Sequence, residues 1–282
     1  MKRVILLVCV VSLVACSATG RVPRVNMPAL MTERAIGDIF YVDDVPDGII
    51  GNYDAVAIDW PSSMGELDLS NLQREVLRLA FGEDYNGKFD VYDAIFAHLP
   101  QISSLPVPHH IHDGFYNSTD FGWLAEEGMQ NFYFNLNLVS VIDKKNGRYV
   151  SYSRQTCGWK GAVAQGYYGY LFYDLTKNEA LTHSDIFTEG SSMVIVKAII
   201  SKLIEDYNAK NYDDLKDILC FMIDTDLPPL PKNIGYKKGD FIFTYNPYEI
   251  ACGNVGDITV EIPARQLSGI LTPRAKALLL DK

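Results

Sequence analysis

The sequence predicts an α+β fold: an antiparallel sheet with helices packed on one face, built as two connected halves. Three observations support this prediction. The chain has 282 residues, of which 48% are apolar and 21% charged, so it can form one large core or two small ones and is too apolar for disorder. Apolar residues alternate with a period of two in several segments. Between those segments they recur at the spacing of a helix face, as after Ser70 and Ser192.

The order of these patterns divides the chain into four parts. A signal peptide is followed by a lipidated tether with a mixed approach segment, and then by two α+β halves. We expect no internal repeat or coiled coil. The predicted boundaries are residues 1–15, 16–46, 47–175 and 176–282.

The first 16 residues have the pattern of a bacterial lipoprotein signal. Lys2 and Arg3 precede a short apolar stretch, and Leu13-Val14-Ala15-Cys16 resembles a lipobox, in which a protease cuts before a lipidated cysteine. The stretch is shorter than the ~18 apolar residues of a membrane span. We therefore predict lipid on Cys16 and anchorage in the cell envelope outside the cytoplasm, on the periplasmic side or the cell surface. An ordinary secretory signal or an anchor helix is the alternative.

The N-terminal half is expected to begin with a strand at residues 53–60. Ser70 and Gln73 have the spacing of a capping box, which predicts a helix that ends at Gly82. A second, short helix is predicted at residues 90–99.

Residues 100–122 are irregular and hold the one metal-like cluster of the sequence, His109, His110, His112 and Asp113. Imidazoles at alternate positions of an extended segment can bind zinc, but no acidic residue stands at a recognisable motif spacing. Solvated loop histidines are the favoured interpretation, and we predict no metal and no cofactor.

Three strands are predicted next. Residues 130–143 alternate, with a polar face that includes Asn137 and is expected to face water. Asn146-Gly147 predicts a tight turn to a partner strand at 148–156. A further strand is predicted at 170–175, after a glycine-rich stretch.

An aromatic cluster stands where that last strand begins. Tyr167, Tyr168 and Tyr170 are candidates for binding a ligand or a partner, because tyrosine stacks on sugar rings and anchors protein interfaces. Sheet packing, with the hydroxyl groups reaching water, is the favoured interpretation.

The C-terminal half is predicted to hold three helices and a hairpin. Ser191 or Ser192 is expected to cap a helix whose buried face is Val196, Ile200, Leu203 and Tyr207. Further helices are predicted at 213–222 and 273–280. The hairpin spans residues 239–267: alternation in 241–245 and 258–262 flanks a glycine-containing turn, and Pro263 ends the second strand.

This hairpin carries a family resemblance. Its runs NPYEIA and ITVEIP resemble the C-terminal signature of a bacterial envelope domain. That domain occurs in the lysozyme-sensing anti-sigma factor of the RsiV type, beside the catalytic domain of the PdaC-type peptidoglycan deacetylase, and in many lipoproteins. The resemblance spans roughly residues 53–271, with a second match at 170–187. The histidine of the family's Gly-Gly-Ala-His run is absent at 160–164, so no role tied to it is carried over.

The resemblance implies a non-catalytic envelope lipoprotein that binds a lysozyme or a cell-wall component. The sensor's sigma-binding segment and membrane helix and the deacetylase's catalytic domain are not recognised here, so we expect neither of those activities. The net charge of −10 disfavours nucleic acid and favours a basic partner such as lysozyme, although acidity for solubility is sufficient to explain it.

Two rival functions remain open. The first is a hydrolase of peptidoglycan or glycan turnover with an unrecognised carboxylate site, and the second is a structural envelope protein without a ligand. Paired acids such as Asp213 and Asp214 are present, but first-turn helix acids explain that pair, and no spacing indicates a catalytic pair. We therefore predict no catalytic residues.

Three cysteines remain after Cys16. Because Cys157, Cys220 and Cys252 are odd in number, at most one disulfide can form within the chain. Buried thiols and a bond between Cys220 and Cys252 both stay open.

Overall fold

A computed structural model of the chain describes residues 28–45, 48–99, 131–160, 163–223 and 227–280. Within them the fold is α+β, as predicted, with two sheets and six α-helices. The strands are β1 Met31–Val45, β2 Gly48–Ser63, β3 Asn131–Lys145, β4 Tyr149–Lys160, β5 Val163–Asp174, β6 Glu179–Ala180, β7 Asn233–Lys237, β8 Asp240–Tyr245 and β9 Ile258–Pro263. The helices are α1 Ser70–Phe81, α2 Val91–His98, α3 His183–Ile186, α4 Ser192–Asp206, α5 Tyr212–Ile218 and α6 Pro273–Leu279.

The first sheet contains β1 to β6 in chain order. Neighbouring strands are antiparallel except β2 and β3, which pair in parallel. A parallel pair requires a long crossover, and here the chain between Ser63 and Asn131, which includes α1 and α2, supplies it. The sequence patterns predict β2 and β3 separately and do not reveal that they pair in parallel.

The hairpin of β1 and β2 includes residues that the sequence left as an approach segment. β1 pairs with β2 along its whole length, and β2 is longer than the predicted 53–60. Asp59 joins three strands, because its carboxylate accepts hydrogen bonds from Arg34 of β1 at 2.7 Å and from the Val141 amide of β3 at 2.9 Å.

Helix α1 is present, but the predicted capping box at its start is wrong. Leu69 occupies the N-cap position, and Ser70 is the first helical residue. The carboxylate of Asp68 accepts hydrogen bonds from the Ser70 amide at 2.9 Å and hydroxyl at 3.0 Å, and these bonds lower the pKa of Asp68. The Gln73 side chain donates instead to the carbonyl of Pro61 at 2.9 Å. Because the Ser70 hydroxyl bonds to Asp68, it does not cap the helix, and Leu69 takes the N-cap position.

The helices α1 and α2 cover one face of the first sheet. The apolar side of α1 packs across β2, β3 and β5, and α2 packs on β1. Asp90 caps α2 by accepting from the amides of Tyr92 and Asp93, so the predicted short helix is confirmed. The shared core includes Leu72, Val76, Ile95, Val56, Ile58, Val139 and Leu171.

The polar face of β3 is only partly the wet face that its alternation predicts, because Asn135 is exposed and Asn137 is buried. Asn137 is only 5% exposed, because α1 lies over it. Its amide group donates to the carbonyl of Ala80 at 2.8 Å, in the last turn of α1, and its oxygen accepts from Arg154 at 3.1 Å. Asn137 thus supplies one of the partners that the last carbonyls of a helix need.

Strand β5 begins earlier than predicted, at Val163 instead of 170. Gly169 lies within it, where a side chain would contact Leu79 of α1 at 3.4 Å. The residues from 163 onwards that resemble a glycine-rich loop therefore belong to the strand, and Gly169 lies at an ordinary contact distance from α1.

The second sheet confirms the hairpin of residues 239–267 and adds one strand. β8 and β9 are antiparallel, and β7, which the sequence did not reveal, pairs with the other edge of β8. Both faces of β8 are buried. Phe241 and Phe243 pack against Phe187, with ring centroids at 5.0 and 6.4 Å, in a second core beneath α4 and α5.

The helices of this region differ from the prediction in detail. Ser191 is the N-cap residue of α4, but its hydroxyl makes no capping bond. Tyr207 follows the helix and is 43% exposed, so its assignment to the buried face is wrong, whereas Val196, Ile200 and Leu203 are buried as expected. Helix α5 ends at Ile218 because Cys220 has a left-handed backbone, with φ of +48°, and the chain turns there.

Helix α6 attaches the C-terminus to the first sheet. Arg274 donates to the 1% exposed carboxylate of Asp174 at 2.6 and 2.9 Å, and it also pairs with Glu179 at 2.7 Å and Asp185 at 3.2 Å. Burial raises the pKa of Asp174, but hydrogen bonds from Thr176 and Arg274 outweigh it, so the pKa lies below its usual value. This ion-pair network connects β5, β6, α3 and α6.

Candidate functional site

A cleft separates α1 and the sheet edge at β5 from the second sheet. We call it the junction cleft and define it by Arg78, Tyr167, Tyr168, Tyr170, Lys232 and Asn246. Its volume of about 730 Å³ lies within the range of small-molecule sites, ~300–1,000 Å³. The three tyrosines named from the sequence all line it.

Tyr170 holds the second sheet against β5. Its hydroxyl shares a hydrogen bond with Thr244 of β8 at 3.1 Å, and its ring lies on Gly235 of β7. A Cβ at position 235 would stand 2.5 Å from the ring, so only glycine admits this contact. Burial raises the pKa of Tyr170 to about 12. Tyr170 therefore positions the cleft walls, as the sheet-packing interpretation expects.

Tyr168 is held through its backbone. The side chain of Asn246 accepts from the Tyr168 amide at 2.7 Å and donates to its carbonyl at 3.0 Å, so an asparagine pairs with the strand edge as another strand would. The Tyr168 hydroxyl accepts from Gln155 at 3.0 Å. Burial is the main reason that the pKa of this tyrosine is raised.

Among the three tyrosines of the cleft, Tyr167 presents the most surface. It is 41% exposed and lies on the opposite face of β5 from its two neighbours, towards α1. It is therefore the aromatic side chain in the cleft best placed to contact a ligand.

Charges of both signs surround these tyrosines. Arg78, Arg154 and Lys232 supply the cations, and Glu75, Glu83 and Glu249 supply the carboxylates. Arg78 and Glu75 pair with each other at 2.8 Å. Burial lowers the pKa of Arg154, which is held by Asn137 at 3.1 Å. The cleft is thus balanced in charge, although the whole chain is acidic.

The remaining sites named from the sequence do not join the cleft. Cys16 and the histidines at 109, 110 and 112 lie outside the described residues. Within the described part of the chain, no group of three or more histidine, cysteine or acidic side chains could hold a metal ion, and no helix is long and apolar enough to cross a membrane. Asp213 and Asp214 stand in the first turn of α5, where Asp213 pairs with Lys216 and Asp214 accepts from the Lys210 amide.

Sequence reasoning missed several groups of the cleft. Asn246 and Glu249 enter the sequence analysis only as letters of the run NPYEIA, and no local pattern singles out Arg154 or Lys232. These residues come from three separate segments, β4, the loop before β7 and the loop after β8, so no local pattern brings them together. The one available signal is that Asn246 and Glu249 both stand in the run NPYEIA, which carries the family resemblance.

Comparison with known proteins supports the family resemblance at a coarse level. Residues 184–265 match a family described as "Protein of unknown function (DUF3298)". A crystal structure of a DUF3298 family member from Bacteroides fragilis is similar, with a TM-score of 0.62 and 16% identity over 88% of this chain and 96% of that one. One from Pseudomonas aeruginosa has a TM-score of 0.53 and 14% identity over 87% and 96%. No curated protein matches this chain.

These similarities concern the fold. At 14–16% identity they show a shared architecture over most of the chain and leave ligands and activity open. They name neither the RsiV-type sensor nor the PdaC-type deacetylase, so that finer part of the resemblance stays a prediction.

Proposed function

We propose that this chain is a non-catalytic lipoprotein of the bacterial cell envelope that binds a cell-wall fragment in the junction cleft. The observation that carries the proposal is the combination, in one cleft, of an exposed tyrosine with cations and carboxylates in equal number. The lipobox-like run before Cys16 supports the location.

The chemistry of a muropeptide matches this lining. Its sugar rings offer flat apolar faces, which stack on an exposed tyrosine such as Tyr167. Its peptide stem carries both carboxylates and an amine, and these find partners in Arg154 or Lys232 and in Glu249. Because Arg78 and Glu75 pair with each other, a purely anionic ligand would leave Glu83 and Glu249 unmatched, and a purely cationic ligand would leave Arg154 and Lys232 unmatched.

Binding of a basic lysozyme is the second candidate function. The supporting observation is the net charge of −10, which attracts a cationic protein over a long distance. The charge balance of the cleft makes it a poor focus for such attraction, so this partner would use a different part of the surface.

Calorimetry tests both candidates. The chain without its first 16 residues is titrated with muropeptides and, separately, with a basic lysozyme at low and at high salt. We expect muropeptide binding that Tyr167→Ala weakens about tenfold, which corresponds to ~1.4 kcal/mol. Tyr207→Ala is the matched control, because Tyr207 is 43% exposed against 41% for Tyr167 and lies outside the cleft.

Three results would decide against the proposal. If titration with muropeptides gives no heat of binding, the chain does not bind wall fragments. If lysozyme binding persists at high salt, the function is instead recognition of lysozyme through a complementary protein interface. Cleaved muropeptides, detected by mass spectrometry, would establish the rival hydrolase.

A further inference from the structure

Two of the three described cysteines face each other across a short backbone pairing. After α5 the chain runs antiparallel to the segment that follows β8, with a bridge between Phe221 and Ala251. The Met222 amide donates to the Ile250 carbonyl at 2.8 Å, and the Cys252 amide donates to the Cys220 carbonyl at 3.2 Å. Cys220 and Cys252 are therefore directly opposite each other.

This placement suits a covalent bond. Directly opposed residues of an antiparallel pair have Cα atoms ~4.5–5.5 Å apart, within the ~4.4–6.8 Å that a disulfide spans. Both thiols are free, and burial together with the neighbouring Cys220 thiol raises the pKa of Cys252. Cys220 is exposed and Cys252 is partly buried, so an oxidant reaches Cys220 first.

The backbone at Cys220 is a second, independent observation. Its φ of +48° is in the left-handed region, which glycine or asparagine occupies with less strain than cysteine. An exposed cysteine at this position contributes little to packing. Cys220 neither favours the backbone of this turn nor packs in the core, and a reactive sulfur would explain why a cysteine stands there.

We propose that Cys220 and Cys252 form a reversible disulfide. The thiolate of Cys220 attacks a sulfur of an oxidising disulfide, such as oxidised glutathione, and releases one thiol while a mixed disulfide forms. The thiolate of Cys252 then attacks the Cys220 sulfur and releases the second thiol. The two protein thiols lose two electrons, the oxidant disulfide gains them, and the two protons end on the released thiols.

The bond would close a loop that includes one wall of the junction cleft. Residues 220–252 contain β7, β8, Lys232, Asn246 and Glu249. Oxidation would therefore link the two ends of this wall covalently. In the reduced protein, residues 220–222 and 250–252 are joined by two backbone hydrogen bonds. This inference concerns the stability of the wall and does not depend on which ligand the cleft binds.

Peptide mapping tests the bond. The full chain is incubated with oxidised glutathione, alkylated in denaturant and digested with trypsin, which places Cys220 in the peptide 217–232 and Cys252 in the peptide 239–265. We expect these two peptides to be linked, 2 Da lighter than their sum, in a protein that stays monomeric on a non-reducing gel. Cys157→Ser should keep the link, and Cys220→Ser should abolish it.

Thermal unfolding supplies a second readout that needs no variant. The oxidised wild-type chain should unfold about 5–10 °C above the same chain after reduction with dithiothreitol. Full alkylation of both cysteines after oxidation, a link to Cys157 or a link between two chains would each overturn the proposal.

Discussion

Replacement of Arg274 by methionine should destabilise the protein strongly, because it leaves the carboxylate of Asp174 buried without its cation. Asp174 is 1% exposed and receives two hydrogen bonds from Arg274, at 2.6 and 2.9 Å. Loss of one partner of a buried ion pair costs ~3–5 kcal/mol. Asp174 keeps donors from Thr176 and from the Lys177 amide, so we place the loss near the lower end, at about 3 kcal/mol.

Thermal and urea unfolding, followed by circular dichroism, measure this loss. A change of about 3 kcal/mol lowers Tm by about 6–12 °C for a chain of this size. Lys202→Met is the matched control, since Lys202 also pairs with two carboxylates, Glu205 and Asp206, but at the surface of α4. Its loss should be below ~1 kcal/mol.

The pH dependence of the difference identifies its cause. The pKa of Asp174 is lowered in the folded protein from its ordinary value of 3.8, so its stabilisation is present above that value and is lost as pH falls through the folded pKa. The gap between wild type and Arg274→Met should therefore narrow as pH falls below about 4. A variant as stable as Lys202→Met, or a gap independent of pH, would refute the reasoning.

Two further predictions concern the contact between the sheets. Gly235→Ala places a Cβ 2.5 Å from the Tyr170 ring and should lower the free energy of unfolding, measured in urea, by about 1–3 kcal/mol. Gly269→Ala is the control, because a Cβ there meets no atom within 4 Å and should change stability little. Equal effects of the two substitutions would contradict the close contact. Burial raises the pKa of Tyr170 and Tyr236 to about 12, so the stability that depends on their neutral form is complete below pH 10 and should decline from pH 10 to 12. Urea midpoints measured across this range, beside tyrosinate absorbance, check the decline, and a constant midpoint would exclude it.

Local patterns predicted the elements whose structure depends on neighbours in sequence. The alternation of residues 241–245 and 258–262 and the Asn146-Gly147 turn describe the strands and hairpins that form. The Asp90 helix has its cap and its apolar face within eight residues, so it was also predictable.

Features that depend on distant contacts were not predictable in this way. Asn137 stands at a position that the alternation of β3 assigns to the solvent-facing side, and it is buried only because α1 packs over it. Asn246 acts on Tyr168, 78 positions earlier in the chain. The cleft belongs to the same class, because its charges come from segments that meet only after both sheets have formed.

The parallel seam between β2 and β3 has a consequence for how the chain folds. Every residue of β2 in this seam pairs with a residue 81 positions later, whereas β1 with β2 and β3 with β4 are hairpins. Local hairpins close within microseconds, but distant pairings delay folding to milliseconds or longer. We expect the two strand groups to form early and the seam to join them last. Until then β2 and β3 both expose an open edge, so slow refolding and association through these edges are the kinetic cost of this topology.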